Sequence, residues 1–208
     1  MGLWGTDADA TDNKPKNLTT DTNSDYAKKD VFANKMGWVR RAGTAANGND
    51  NADAQEEVLV AIGDLSGASS TTGLKAPTIS STRFIVGTTA NTDFTANDAN
   101  AQIDVEVTYD EEVTVNTSGG TPTLVIANND ASGGGYGNLT LTYLASESTA
   151  NSLRFRKTSC GIGNTDVLTV GGSNIALNSG TIVDTADGST AASLVLSGLS
   201  AVAVTIAS

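Results

Sequence analysis

The densest group of acidic side chains in the chain is Asp110-Glu111-Glu112. Carboxylate oxygens are the ligands that calcium prefers, and a loop carboxylate such as Asp184 or Asp187 could complete a site with this group. The alternative is a turn whose acidic side chains are solvated. We favour the turn, because the spacing of the acids does not match an EF-hand loop. The sequence therefore predicts no metal site, and no cofactor of another kind.

Nucleophilic catalysis has little to build on in this chain. It contains no histidine, so a Ser-His-Asp triad cannot form. A Ser-Lys pair would need a lysine held beside a serine, and Lys75 and Lys157 lie in no recognisable motif. The glycines at 133–135 are not followed by the Gly-Lys-Ser/Thr of a phosphate loop, and we expect a loop tip there. The sequence therefore predicts no catalytic residues and a protein that is not an enzyme.

Cys160 is the one cysteine, so an internal disulfide and a thiolate zinc site are both excluded. A reactive thiolate would require Arg156 or Lys157 to lower the pKa of the thiol. We favour a small half-buried residue at the end of a strand, because free cysteine usually behaves as a small hydrophobe. A chain without disulfides folds most readily in a reducing cytosol.

The charge of the chain is unevenly distributed. The formal net charge is −11, and seven of the twelve basic residues lie in residues 1–41, where the balance is 7 − 6 = +1. The balance is 1 − 5 = −4 over residues 42–75 and 4 − 12 = −8 over residues 76–208. An acidic surface repels nucleic acid and anionic lipid, and no stretch approaches 18 apolar residues. We therefore expect neither nucleic acid nor a membrane as a partner.

The N-terminal region, residues 1–55, shows no sustained hydrophobic period, and we expect a long, mostly irregular arm there. Both tryptophans lie in it, and a large aromatic side chain needs to be covered. Either these side chains pack on the rest of the chain, or they anchor the arm on a partner, where Trp and Arg dominate binding energy. The predicted interface residues are Trp4, Lys14, Lys16, Phe32, Trp38, Arg40 and Arg41.

The remainder of the chain has the pattern of a β protein. Residues 58–62 form a short apolar run of strand length, and from Pro77 onward apolar and polar residues alternate, as in residues 103–109. Gly-, Asn- and Asp-rich turns separate these runs. The pattern predicts an all-β fold, a sandwich or barrel. We expect two parts: a docking arm with one short strand over residues 1–76, and a β-sandwich over residues 77–208.

Several short motifs follow one another in the C-terminal part. They are residues 107–115 (VTYDEEVTV), 120–124 (GTPTL), 153–156 (LRFR), 178–184 (NSGTIVD) and 186–188 (ADG). With these motifs the chain from about residue 77 to 208 resembles bacterial immunoglobulin-like repeat domains of large surface proteins. The resemblance implies an immunoglobulin-like β-sandwich used for display or adhesion, and it implies no chemistry.

A second set of motifs spans the first 61 residues. They are residues 1–5 (MGLWG), 14–16 (KPK), 30–32 (DVF), 37–40 (GWVR) and 57–61 (EVLVA). In this order they resemble structural proteins of tailed phages that infect marine bacteria, including cyanobacteria. Family members often carry a small β module between the opening Trp-Gly and the Lys-Pro-Lys. That module is absent here, and an immunoglobulin-like module follows instead.

The two resemblances together imply a virion structural protein, a decoration or cement protein on the head surface, made in the host cytoplasm. Its partners would be the major capsid protein or other virion subunits, and self-association is left open. A basic arm would dock on acidic neighbouring subunits. The alternative is a tail-associated or cell-surface adhesion module that binds a host glycan or protein, for which Tyr136 is the obvious loop aromatic.

Overall fold

The structure is a computed structural model that describes residues 14–15, 18, 30–41, 55–67, 74, 76–86, 89–90, 93–95, 102–197, 199 and 202–207. Over these residues the chain is nearly all β, with its strands in three mainly antiparallel sheets. The predicted all-β class is confirmed. None of the described residues belongs to a helix long and apolar enough to cross a membrane.

The strands are numbered in chain order. They are β1 Val31–Asn34, β2 Gly37–Arg40, β3 Glu57–Ala61, β4 Ile79–Val86, β5 Thr89–Ala90, β6 Asp93–Thr95, β7 Gln102–Tyr109, β8 Val113–Asn116, β9 Thr123–Asn128, β10 Leu139–Tyr143, β11 Ser152–Thr158, β12 Val167–Val170, β13 Thr181–Asp184 and β14 Val202–Ala207. A short 3-10 helix, Ala145–Glu147, lies between β10 and β11.

The chain divides into two compact units, each built from separate stretches of sequence. The first unit comprises Met1–Ser80, Tyr109–Thr114 and Ile182–Ser193. The second unit comprises Ser81–Thr108, Val115–Thr181 and Leu194–Ser208. The predicted division at residues 76 and 77 follows the order of the sequence. The compact units differ from it, because two stretches of the predicted sandwich pack with the N-terminal region.

An antiparallel sheet of order β1-β2-β3 lies in the first unit. Its hairpin pairs Phe32 with Val39 and Asn34 with Gly37. Gly37 has φ +132°, and a Cβ at this position would overlap the backbone oxygen of Val60 on β3, so only glycine allows this close approach. The strand predicted at residues 58–62 is confirmed as β3. The expectation of a mostly irregular arm is corrected over residues 30–41 and 55–67, which hold this sheet.

The first unit has a hydrophobic core of its own. Trp38 is fully buried in it with aliphatic neighbours from three parts of the N-terminal region. The core residues are Val31, Ala33, Trp38, Leu65 and Leu74, with Leu18, Leu59, Val60 and Ile62 packed against them. Sequence inspection missed this core because β1 is buried along its whole length. A strand buried on both faces shows no alternation of apolar and polar residues.

Backbone hydrogen bonds join the three stretches of the first unit. The amide of Ala33 donates to the carbonyl of Asp110 over 2.7 Å, and the amide of Asp110 donates to the carbonyl of Thr78 over 3.0 Å. The phenol of Tyr109 donates to the carbonyl of Ser193 over 2.9 Å, and burial raises the pKa of this phenol well above its usual range. The N-terminal stretch is therefore bonded to Asp110, which follows β7, and the last residue of β7 is bonded to Ser193, which follows β13.

The second unit is built on one sheet of nine strands, ordered β5-β4-β7-β11-β10-β9-β12-β14-β6. Neighbours from β7 to β14 are antiparallel, whereas β14 and β6 are parallel. The buried apolar residues of β9, β10 and β11 are leucine, isoleucine and phenylalanine, and Tyr143 meets Phe155 edge to face with ring centroids 6.1 Å apart. The predicted strands are confirmed. The alternation of buried apolar and exposed polar residues holds for β10, but on β11 Arg154 is also buried, and on β7 Asp104 and Glu106 are also buried.

Candidate functional site

The predicted interface residues fall into three groups. Trp4 and Lys16 lie outside the described residues. Phe32 and Trp38 have no exposed area, so intramolecular packing, the first of the two alternatives, describes them. A side chain without exposed area does not contact a partner unless the unit opens. Phe32 and Trp38 are therefore corrected from contact residues to core residues.

The three cationic residues of the predicted set that the structure describes, Lys14, Arg40 and Arg41, occupy different environments in the first unit. Lys14 is almost fully buried. Arg40 and Arg41 are partly exposed at the end of β2. The guanidinium of Arg40 pairs with Glu57 on β3 over 2.9 Å, and the amide of Arg41 donates to the carbonyl of Asp30 over 2.7 Å. Their role at an interface stays a prediction, and Arg41 is the residue best placed to test it.

The acidic group after β7 is buried rather than solvated. Asp110 accepts hydrogen bonds from the amide of Thr78 over 2.6 Å and from its hydroxyl over 2.8 Å. Burial raises the pKa of Asp110 to about 6, against the lowering effects of Thr78 and of the Lys14 charge. The prediction of a solvated turn is therefore wrong for Asp110 and for Glu111, which are both 0% exposed.

Glu111 is the least satisfied carboxylate in the described part of the chain. Neither of its oxygens has a hydrogen-bond partner there. Burial raises its pKa to about 9, and the nearby charges of Asp110, Asp184 and Asp187 raise it in the same direction. A bare carboxylate in such a place costs several kcal/mol, so the site requires either a proton or a cation.

Asp184, at the end of β13, is the second incompletely satisfied acid. It is 1% exposed. Its Oδ1 accepts the amide of Ala186 over 2.7 Å, whereas its Oδ2 has no partner among the described residues. Burial raises the pKa of Asp184; the charge of Asp187 adds to this, and the amide of Ala186 and the charge of Lys35 oppose it.

Asp187 and Glu112 complete the surroundings of this cluster. The carboxylate of Asp187 is exposed to solvent and accepts the amides and hydroxyls of Ser189 and Thr190, and these bonds, chiefly from Thr190, lower its pKa to about 2. Glu112 is half-buried and borders a cleft of about 310 Å³. The cleft is lined by Asn34, Lys35, Met36, Ser66, Glu112, Thr185 and Ala186.

The sequence analysis considered Asp110-Glu111-Glu112 as calcium ligands together with Asp184 or Asp187. In the structure the charges of these acids act on one another. Among the described residues, however, no three acidic or thiol side chains converge on one point in the manner of a closed metal cage. The arrangement has two buried acids, Glu111 and Asp184, and the charges of Asp110 and Asp187 also act on Glu111. We call Glu111 and Asp184 the buried acid pair.

A second charged group, unforeseen from the sequence, lies in the second unit. Arg154 on β11 reaches both Asp104, over 3.1 Å, and Glu106, over 3.5 Å, on β7. Arg156 bonds Asp104 over 2.8 and 2.7 Å, and Arg83 on β4 bonds Glu106 over 2.8 Å. The signal was present: acids and arginines both recur at every second residue, and the β7–β11 register sets Arg154 against Glu106. We call these five side chains the charge ladder.

Two further side chains singled out from the sequence are placed by the second unit. Burial raises the pKa of the Cys160 thiol, which donates to the carbonyl of Lys157 over 3.4 Å; the small buried residue is the correct interpretation. Tyr136 is 37% exposed. Asp130 accepts the amides of Gly135 and Tyr136 over 3.0 and 3.1 Å, so its loop is held in one conformation.

The fold and the site define an all-β chain of two compact units, with a buried acid pair in the first and a charge ladder in the second. No family model, no curated protein and no solved structure matches this chain.

Proposed function

We propose that this chain is a virion structural protein of a tailed phage, a decoration or cement protein that binds the head shell through its first unit. The observation that carries the proposal is the ordered set of motifs over residues 1–61, which resembles phage structural proteins. The position of the basic residues supports it, because seven of the twelve lie in residues 1–41, within the first unit, where they can meet acidic neighbouring subunits. In this role the second unit projects into solvent.

The geometry of the first unit refines the mechanism of attachment. An irregular arm would lose conformational entropy when it orders on a shell. The sheet β1-β2-β3 and its core are already folded within the chain. Binding therefore causes no further loss of conformational entropy in these residues. A preorganised surface binds more tightly for the same contacts. Attachment then depends on exposed residues of a folded unit, of which Arg41 is one, and on the repetition of the same contact over many subunits.

Reversal of the charge at Arg41 tests this attachment. We expect Arg41→Glu to lower binding to particles that lack the protein by about tenfold, since an interfacial cation next to acidic subunits is replaced by a repelled anion. The matched control is Lys157→Glu, a reversal of the same size at a partly exposed position of the second unit. Binding is measured by co-sedimentation with the particles, at two salt concentrations, after circular dichroism has shown that both variants are folded.

Equal binding of Arg41→Glu and the wild-type chain would contradict attachment through the surface around Arg41. Absence of the protein from purified virions would overturn the function itself. A loss with Lys157→Glu and none with Arg41→Glu would move the contact to the second unit.

A second candidate function is adhesion, and Tyr136 favours it. Its ring is partly exposed, and Gly134 and Gly163 leave room for it, since a Cβ on either glycine would press against the ring. An exposed aromatic ring in a fixed loop is suited to stacking on a sugar. If this function holds, Tyr136→Ala abolishes binding to host cells, whereas Arg41→Glu leaves it unchanged. Binding is measured with fluorescently labelled protein on intact cells; no loss with Tyr136→Ala contradicts adhesion through this loop.

A further inference from the structure

The starting point is the number of buried oxygens that lack a donor. Glu111 contributes two and Asp184 contributes one within the described part of the first unit. Both side chains are buried to at least 99%. The two stretches that carry them are bonded together: the amide of Thr185 donates to the carbonyl of Glu112 over 3.1 Å, and β8 pairs with β13. The three oxygens therefore belong to one region of one unit.

A single proton does not satisfy this group of oxygens. A protonated Glu111 has one O–H to donate, which can serve one acceptor such as Oδ2 of Asp184, and the second oxygen of Glu111 is still without a donor. The nearby charges of Asp110 and Asp187 add to the cost of any carboxylate left ionised here. A divalent cation can satisfy all three oxygens, because one carboxylate can bind it through two oxygens and the other through one.

The chemistry of the ligands selects the kind of cation. Every donor in the pair is a carboxylate oxygen, which suits a hard ion, whereas zinc and copper prefer nitrogen and sulfur. Calcium accepts a carboxylate through both oxygens and tolerates irregular geometry, whereas magnesium requires a near-ideal octahedron and retains its water. The cleft is lined in part by Glu112, Thr185 and Ala186, the residues that follow the pair in sequence.

We propose that Glu111 and Asp184 bind a calcium ion, Glu111 through both oxygens and Asp184 through Oδ2, with backbone carbonyls and water as the other ligands. Only two protein carboxylates bind directly, so the affinity lies in the range of weak calcium modules, with a dissociation constant of about 10⁻⁴ to 10⁻³ M. The ion neutralises Glu111, whose carboxylate has no hydrogen-bond partner in the described part of the first unit. This proposal departs from the expectation from sequence that the chain binds no metal.

The test is thermal unfolding of the full-length chain at pH 7.5 in EDTA, in calcium chloride and in magnesium chloride, at matched ionic strength. We expect saturating calcium to raise the melting temperature of the wild-type chain by about 5 °C and magnesium to raise it much less. The melting temperature of Glu111→Gln should be the same in EDTA and in calcium. Glu147→Gln, an exposed acid of the second unit, is the matched control and should respond as the wild-type chain does.

Equilibrium dialysis with radioactive calcium supplies a second readout that does not depend on stability. One ion per wild-type chain and none for Glu111→Gln support the site, and Asp184→Asn serves if Glu111→Gln fails to fold. Three results overturn the proposal: no calcium-dependent shift in the wild-type chain, the same shift in Glu111→Gln, or no bound ion. If calcium has no effect and Glu111→Gln alone raises the melting temperature, the acid pair holds a proton instead.

Discussion

Arg154→Ala will lower the free energy of unfolding of the second unit by about 3–5 kcal/mol. The change leaves Glu106 with only Arg83, and it removes one of the two arginines that bond Asp104. Asp104 is 0% exposed, so solvent does not replace the lost bond. The loss should exceed that of an ordinary surface ion pair, which is worth about 0–1 kcal/mol.

Urea unfolding followed by far-UV circular dichroism measures this effect. Lys157→Ala is the matched control, because Lys157 lies on the same strand and is only partly buried. We expect the control to stay within about 0.5 kcal/mol of the wild-type chain. A loss below about 1 kcal/mol for Arg154→Ala would show that water enters the charge ladder and that the described burial is wrong.

Trp38→Ala will cost the first unit about 3–5 kcal/mol, because it removes the largest side chain of that core and leaves a cavity that aliphatic neighbours fill only in part. Trp38→Phe should cost markedly less, since the indole nitrogen is buried without a hydrogen-bond partner in the described part of the chain and no such bond is lost. Met36→Ala is the control within the same hairpin, because Met36 is 51% exposed.

Chemical denaturation followed by circular dichroism compares the three variants, and tryptophan fluorescence adds a local probe in Met36→Ala, where Trp38 is retained. Both tryptophans lie within Met1–Ser80, so fluorescence reports on the first unit. If Trp38→Ala and Met36→Ala lose the same small amount, Trp38 is not in a packed core, and its assignment as a partner contact returns.

The sequence was most informative where strands have one buried and one exposed face. Alternation predicted β10, for example, where Leu139 and Leu141 are buried while Thr140 and Thr142 are exposed. It also predicted β7 and β11 as strands, although charged residues between their apolar residues are buried too. It failed for β1 and β2, whose four-residue strands are buried almost throughout. A pattern with period two carries no signal when both faces are covered.

The charge ladder could not be predicted from the alternation alone. Asp104 and Glu106 alternate with apolar residues, and this pattern does not show which charged side chain lies opposite them. Their partner Arg154 lies 50 and 48 residues further along the chain, and only the pairing of β7 with β11 brings the charges together. Glu111 belongs to an acidic group that is evident in the sequence, but its bridge to Ala33 in the N-terminal region and its closeness to the charge of Asp184 are not. Pairings at such separations are fixed by tertiary structure, which local sequence does not encode.

Attachment through the first unit is the central claim, and trypsin cleavage at Arg41 and at Lys157 tests it most directly. Each site lies at a partly exposed residue, one in each unit. The rates of cleavage are compared by mass spectrometry in the free chain and in the chain bound to particles. The account predicts that cleavage after Arg41 slows at least tenfold on particles while cleavage after Lys157 keeps its rate. Slowing at Lys157 alone, or at neither site, would contradict it.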